Sequence, residues 1–153
     1  MFRDVTPLLA NAAAFARCVD LLAEPWQAWP VQAVCGIEAR GFIFGAALAH
    51  RLSAGFVPLR KPGKLPPPVH GVTYQLEYGD DRLEVQTEAL KPGERVLLVD
   101  DVLATGGTLQ AATTLLAELG VDLLGASVVI ELAALHGRQR WPGDRPLHSL
   151  LRY

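Results

Sequence analysis

Val96-Leu97-Leu98-Val99-Asp100-Asp101-Val102-Leu103-Ala104-Thr105-Gly106-Gly107-Thr108 is the stretch whose reading decides the fold. Four apolar residues in succession fit a strand buried on both faces, as in a parallel sheet. Two carboxylates stand where that strand ends. A small, hydroxyl-bearing Gly-Gly turn comes next and opens a helix expected to run to about Leu119. Successive backbone N–H groups in such a turn, backed by the positive end of the helix, form a nest for a phosphate. Gly106 and Gly107 permit close approach, and Thr105 and Thr108 add hydroxyl donors. As carboxylates, Asp100 and Asp101 only accept hydrogen bonds, which suits sugar hydroxyls or hydrated Mg²⁺. The whole run reads as a clamp for a ribose 5-phosphate. Taken singly, the Gly-Gly pair also fits an ordinary strand-to-helix turn, and adjacent aspartates also occur after buried strands in phospho-receiver domains. A Walker loop is excluded, because the run contains no Gly-Lys-Ser/Thr.

Strand-like and helix-like segments alternate outward from this run, giving an α/β fold with a central, mainly parallel sheet flanked by helices. Thr6-Pro7 offers a cap and a first-turn proline, and residues 11–24 read as a helix. Val31–Gly36 is a strand, Phe42–Leu52 a helix and Gly55–Arg60 a strand. Residues 61–71, with four prolines and two glycines, form an irregular loop. Val72–Tyr78 and Arg82–Gln86 read as a hairpin turning at Gly79-Asp80-Asp81. Ser127–Glu131 continues the sheet, the tail from His136 is weakly patterned, and Leu147–Leu151 is a candidate last strand. With no repeat or linker, one domain over residues 1–153 is expected. Ligands of open α/β sheets bind beyond the carboxyl ends of the strands. Ile37–Gly41, Arg60–Lys64 and Asp100–Thr108 all come at or after strand ends and should meet on one rim.

The chain has 153 residues, half of them hydrophobic, enough for one core. A net charge of −2 provides no general attraction for nucleic acid. No apolar run is long enough for a membrane span and no basic-then-apolar leader opens the chain, so a cytoplasmic protein is expected. Cys18 and Cys35 are too few for a disulfide framework and read as reduced core residues. Trp26, Trp29 and Trp141 read as packing residues, and the four histidines lack ligand-like spacing. The charge distribution says more. Ala39 through Leu76 contains no Asp or Glu, yet holds Arg60, Lys61 and Lys64, two of the three lysines in the chain. This local cationic face suits an anionic small molecule. In the turn Gly36-Ile37-Glu38-Ala39-Arg40-Gly41-Phe42, backbone donors and the forked Arg40 guanidinium suit a second phosphate group. A surface Glu-Arg pair beside a helix cap fits the same residues.

The run from Val96 to Thr108 closely resembles the PRPP (phosphoribosyl pyrophosphate) motif of the type I phosphoribosyltransferase family. Phe2-Arg3-Asp4-Val5-Thr6-Pro7-Leu8-Leu9, Glu38-Ala39-Arg40-Gly41-Phe42, Arg60-Lys61-Pro62-Gly63-Lys64-Leu65-Pro66 and Leu76-Glu77-Tyr78-Gly79 resemble, in collinear order, the adenine-specific branch of that family. The resemblance implies transfer of a phosphoribosyl group from PRPP to adenine, giving AMP and pyrophosphate in purine salvage. It implies that Ala104, Thr105, Gly106, Gly107 and Thr108 hold the 5-phosphate and that Asp100 and Asp101 hold the ribose hydroxyls. Glu38, Ala39 and Arg40 would cradle pyrophosphate in a turn often holding a cis non-proline peptide. Arg60, Lys61 and Lys64 would neutralise pyrophosphate, with Tyr78 a further candidate contact. Phe2 and Val102 would sandwich adenine, and main-chain groups near Arg3 would read its edge. Glu77, on a lid hairpin, would be the catalytic proton carrier. Mg²⁺ is expected through PRPP and water, with no protein metal ligand, and a homodimer is expected. Family members carry a further segment ahead of Phe-Arg-Asp, whereas Met1 stands directly before it here, so a reduced N-terminal hood is expected. A PRPP-sensing regulator without catalysis and a transferase for hypoxanthine, xanthine or orotate stay open.

Overall fold

The computed structural model describes residues 4–76 and 78–153. Among these residues five strands form one wholly parallel sheet: β1 (Ala33–Ile37), β2 (Gly55–Leu59), β5 (Arg95–Leu103), β6 (Asp122–Glu131) and β7 (Leu147–Arg152), in the order β2-β1-β5-β6-β7. The helices are α1 (Thr6–Ala10), α2 (Ala12–Ala23), α3 (Arg40–Arg51) and α4 (Gly107–Glu118), and the strands β3 (Val69–Gln75) and β4 (Asp80–Gln86) pair as an antiparallel hairpin. Among the described residues, no helix is long and apolar enough to cross a membrane.

The period of two along the strands divides the core into two layers. Val34, Leu97 and Val99 point to one face, where Cys18 and Leu22 of α2 and Phe44 and Leu48 of α3 cover them. Cys35, Ile37, Val96 and Leu98 point to the other, against Leu109, Leu115 and Leu116 of α4 and Leu83 and Val85 of the hairpin. Burial on both faces is why Val96–Val99 reads as a continuous apolar run rather than an alternating one. Cys18 and Cys35 are both buried and free, as expected.

Several boundaries differ from the sequence reading, each for a local reason. Asn11 caps α2, its Oδ1 accepting the Ala14 N–H at 2.9 Å. Thr6, expected as a cap, lies inside the extra one-turn helix α1, and Asp4 Oδ1 accepts its N–H at 2.9 Å instead. The hairpin strands begin earlier than expected: Val69 faces Gln86 and Gln75 faces Asp80. Asp80 and Asp81 therefore belong to β4 and not to the turn. Asp81 tolerates a strand because Lys61 and Tyr74 donate to its carboxylate. β6 starts at Asp122, five residues before the expected Ser127, although Gly125 interrupts the pattern. Its missing side chain is what the packing needs, since a Cβ there would lie 2.4 Å from the Trp26 indole.

Trp26 ties α2 to the sheet. Its side chain is fully buried and its Nε1 donates to the Ser127 hydroxyl at 2.7 Å. Trp29 packs edge-on over Trp26, with ring centroids 5.2 Å apart, while staying 40% exposed. Trp26→Ala should cost about 3–5 kcal/mol through the cavity it leaves. Denaturant unfolding should show a lower midpoint with an unchanged slope; a loss below about 1 kcal/mol would deny Trp26 this role.

Candidate active site at the carboxyl rim of the sheet

β1 and β5 are central neighbours running in the same direction, so their carboxyl ends open onto the same rim. One cavity of about 430 Å³ joins the residues at those ends: Glu38, Ala39 and Arg40 after β1, and Asp100, Asp101, Val102, Ala104 and Thr108 at the end of β5 and in the turn beyond it. Lys61, after β2, also lines it. Thr105, Gly106 and Gly107 line a smaller adjoining cavity of about 60 Å³ that shares Asp100, Val102, Ala104 and Thr108. The two turns singled out in the sequence thus open onto neighbouring cavities that share four lining residues.

The phosphate-type turn is shaped by backbone contact. Gly106 caps α4 with φ +86°, a left-handed conformation open to glycine, and a Cβ on it would lie 2.4 Å from the Gly137 carbonyl oxygen. A Cβ on Gly137 would in turn lie 2.2 Å from the Ala104 oxygen. Two chain segments touch here backbone to backbone, with no room for side chains. In the other turn, the Glu38–Ala39 peptide is cis and α3 begins directly at Arg40.

Charge is internally compensated around the rim. Arg40 Nε lies 2.5 Å from Asp101 Oδ2. The Asp101 N–H donates to Asp100 Oδ1 at 2.8 Å. Burial, reinforced by the neighbouring Asp101 charge, raises the Asp100 carboxyl well above the usual carboxylate range. Glu38 is the converse case. Burial works to raise it, but hydrogen bonds from Lys64 Nζ, the Lys61 N–H and Arg60 Nε outweigh that and hold it low. Lys61 Nζ meets Asp81 and the Tyr74 hydroxyl. Burial opposes its charge, yet these partners keep its ammonium above the ordinary lysine range.

The expected residues therefore divide. Arg60 and Lys64 sit beside the cavity, bound to Glu38, and do not line it. Tyr78 is 90% exposed and lines neither cavity. Phe2, Arg3 and Glu77 lie outside the described residues. Leu132, which lines the cavity, was missed by sequence reasoning. It comes directly after β6, so the same rim rule could have found it. Among the described residues no group of three or more His, Cys, Asp or Glu is arranged to hold a metal.

A raised carboxyl pKa means that folding favours protonated Asp100. Its charged form thus works against the fold, and that penalty shrinks as pH falls from the raised folded-state value and is gone below the ordinary aspartate value. Asp100→Asn, which keeps the Oδ1 acceptor, should raise the melting temperature of the ligand-free protein at pH 7 and have no such effect near pH 3. Equal melting temperatures of the two proteins at pH 7 would show that the charge carries no such cost.

The chain matches the phosphoribosyl transferase domain family over residues 4–144. Over 153 residues it is 56% identical to the adenine phosphoribosyltransferase of Xanthomonas euvesicatoria pv. vesicatoria, the match spanning all of this chain and 82% of that protein. Its fold superposes on the crystal structure of adenine phosphoribosyltransferase from Rhodothermus marinus with a TM-score of 0.96 and 46% identity, covering 100% of this chain and 87% of that one. It superposes on the adenine phosphoribosyltransferase of Saccharomyces cerevisiae, solved with D-2,5-dideoxy-2,5-imino-altritol 1,6-bisphosphate and adenine, with a TM-score of 0.91 and 40% identity over 98% of this chain and 86% of that one. With its parallel sheet, its paired turns and this breadth of likeness, the chain belongs to the type I phosphoribosyltransferase family, in the group of the adenine phosphoribosyltransferases.

Proposed function

We propose that the rim grips one PRPP molecule by both ends and presents its C1 carbon to adenine. The reaction is that of the group: adenine and PRPP give AMP and pyrophosphate. The observation that carries the assignment of roles is the single cavity shared by the Glu38–Arg40 turn, the Asp100–Asp101 pair and the start of the Ala104–Thr108 turn. A site built for one phosphate would need only one of these turns. The yeast relative, solved with a bisphosphate and adenine together, supports the same reading.

Backbone N–H groups from Ala104 to Thr108 and the hydroxyls of Thr105 and Thr108 hold the 5-phosphate against the α4 terminus. Asp100 and Asp101 accept from the ribose hydroxyls. As those donors arrive, Arg40 exchanges Asp101 for pyrophosphate oxygens, joined by the Glu38–Ala39 backbone. Lys61 faces the cavity, and Arg60 and Lys64 stand behind Glu38 as further cations for the leaving group. Val102 lies against one face of adenine, with Phe2 on the other and main-chain groups near Arg3 at its edge. Glu77 carries the proton at the imidazole edge, and Tyr78 closes over the site with the hairpin.

Departure of pyrophosphate leaves positive charge on C1 and the ring oxygen, as in glycoside cleavage. The protein must neutralise the leaving group, exclude water and aim adenine N9 at C1. The cations serve the first need, the hairpin lid the second, and the clamps at both ends of PRPP the third. The adjacent carboxylates of Asp100 and Asp101 on the cavity wall would suit a hydrated Mg²⁺, an ion that keeps most of its waters. Bound that way, Mg²⁺ adds Lewis-acid stabilisation to the leaving pyrophosphate. One domain spanning residues 1–153, acting as a homodimer in the cytoplasm, completes the proposal.

Mixing the protein with Mg-PRPP and labelled adenine should yield AMP and equimolar pyrophosphate. PRPP binding without turnover would make it a sensor, and product from hypoxanthine in preference to adenine would reassign the base. Glu77→Gln should lower kcat about 100-fold with PRPP affinity little changed. Unchanged turnover would remove Glu77 from the mechanism. Lys64→Ala should weaken PRPP more than adenine, and equal PRPP affinity would dismiss its charge from the site.

A further inference from the structure

The turn Gly137–Arg140, after β6, contributes two arginines with opposite fates. Arg138 is committed: it forks onto Glu131 through Nε at 3.0 Å and Nη2 at 2.6 Å, and donates to the Leu147 oxygen at 2.7 Å. This pins the turn Gly137–Arg140 to the ends of β6 and β7. Gly137 then abuts the Ala104 and Gly106 backbone, fixing the same turn against the phosphate-type loop. Arg140 is delivered by these contacts to the first residue of α4, its Nη1 lying 3.5 Å from where a Cβ on Gly107 would stand. Among the described residues it has no hydrogen bond or ion pair.

That placement is electrostatically unfavourable by itself. Helix N-termini carry partial positive charge and favour anions, so a cation there gains nothing from the helix. The turn meanwhile lacks charge of its own: Ala104-Thr105-Gly106-Gly107-Thr108 offers only neutral donors. A sugar phosphate brings nearly two negative charges to it. Arg140 borders a cleft of about 510 Å³ between β3 and α4, and Gly107 borders both this cleft and the small cavity of the turn. A phosphate dianion would complement all three at once: the helix end, the uncharged turn and the guanidinium beside Gly107.

We propose that Arg140 is a further binding residue for the 5-phosphate, supplying from the C-terminal segment the positive charge that the Ala104–Thr108 turn lacks. The inference rests on the reading of that turn as the 5-phosphate site. It assigns Arg140 to one end of PRPP only, which separates it from the cations around Glu38.

The test uses ligands that carry one end or the other. Ribose 5-phosphate and AMP contain the 5-phosphate, and pyrophosphate does not. In titration calorimetry on the full chain, Arg140→Gln should weaken ribose 5-phosphate and AMP about tenfold, the loss of one charge-assisted contact. Pyrophosphate affinity should stay within about twofold, and Arg140→Lys should recover most of the loss by restoring the charge. The side chain is exposed, so neither change should move the melting temperature. Unchanged ribose 5-phosphate affinity in Arg140→Gln, or equal weakening of pyrophosphate, would overturn the proposal. Thr108→Ala in the same titration separates the levels. If it weakens ribose 5-phosphate while Arg140→Gln does not, the turn remains the phosphate site and Arg140 alone falls; if Thr108→Ala has no effect, both fall.

Discussion

Two adjacent carboxylates buried at the end of the central strand are the constraint on which the rest of this structure depends. Asp100 and Asp101 are 8% and 6% exposed, and each ion removed from water costs roughly several kcal/mol before compensation. A sheet of Val and Leu strands cannot provide that compensation. It comes from the turn at the end of the neighbouring strand: α3 begins at Arg40, whose guanidinium reaches Asp101. The residual penalty falls on Asp100, which is why its carboxyl resists ionisation. Such a pair is poor design for stability alone. It makes sense where a ligand supplies hydroxyl donors and cations that the folded chain lacks.

The same compensation governs the cations around the rim. Every cation the sequence offered for pyrophosphate is already in an ion pair: Arg60 and Lys64 with Glu38, Lys61 with Asp81, Arg40 with Asp101. The free rim is thus nearly neutralised from within. The cations are partly exposed but the carboxylates of Glu38 and Asp101 are largely buried, so a cation released to pyrophosphate leaves a carboxylate that donors from the ligand must satisfy. The pairs hold the cations in place before the ligand arrives, which lowers the ordering cost of binding. Glu38 does this for three donors on the segment after β2 at once.

Much of this was legible in the chain because it derives from local rules. An unbroken apolar run signals a two-sided strand, and Val96–Val99 is one. Asp-Asp before Thr-Gly-Gly-Thr identifies a strand-to-helix turn with acceptors on one side and donors on the other. The rim rule then brings Glu38–Arg40 and Asp100–Thr108 together, and the structure does so. What escaped was tertiary. Pairing of Glu38 with Arg60 and Lys64 joins residues more than twenty positions apart, and nothing in either segment announces it. Asp81 lies in β4 with Lys61 and Tyr74 on its carboxylate, contacts that local propensity does not announce, so the turn was misplaced. Gly137 and Arg140 lie in a tail without periodicity, and their significance appears only once Gly137 is seen against the Ala104 and Gly106 backbone.

Two backbone turns at neighbouring strand ends, gripping opposite ends of a single sugar phosphate, are the core of the proposed mechanism. A crystal structure with a non-reactive PRPP analogue tests this most directly. The 5-phosphate should lie within hydrogen-bond reach of the N–H groups of residues 105–108, the pyrophosphate on the Glu38–Arg40 turn, and the ribose hydroxyls on Asp100 and Asp101. An analogue bound with either turn left untouched, or with Arg40 still held by Asp101 and no ribose between, would contradict it.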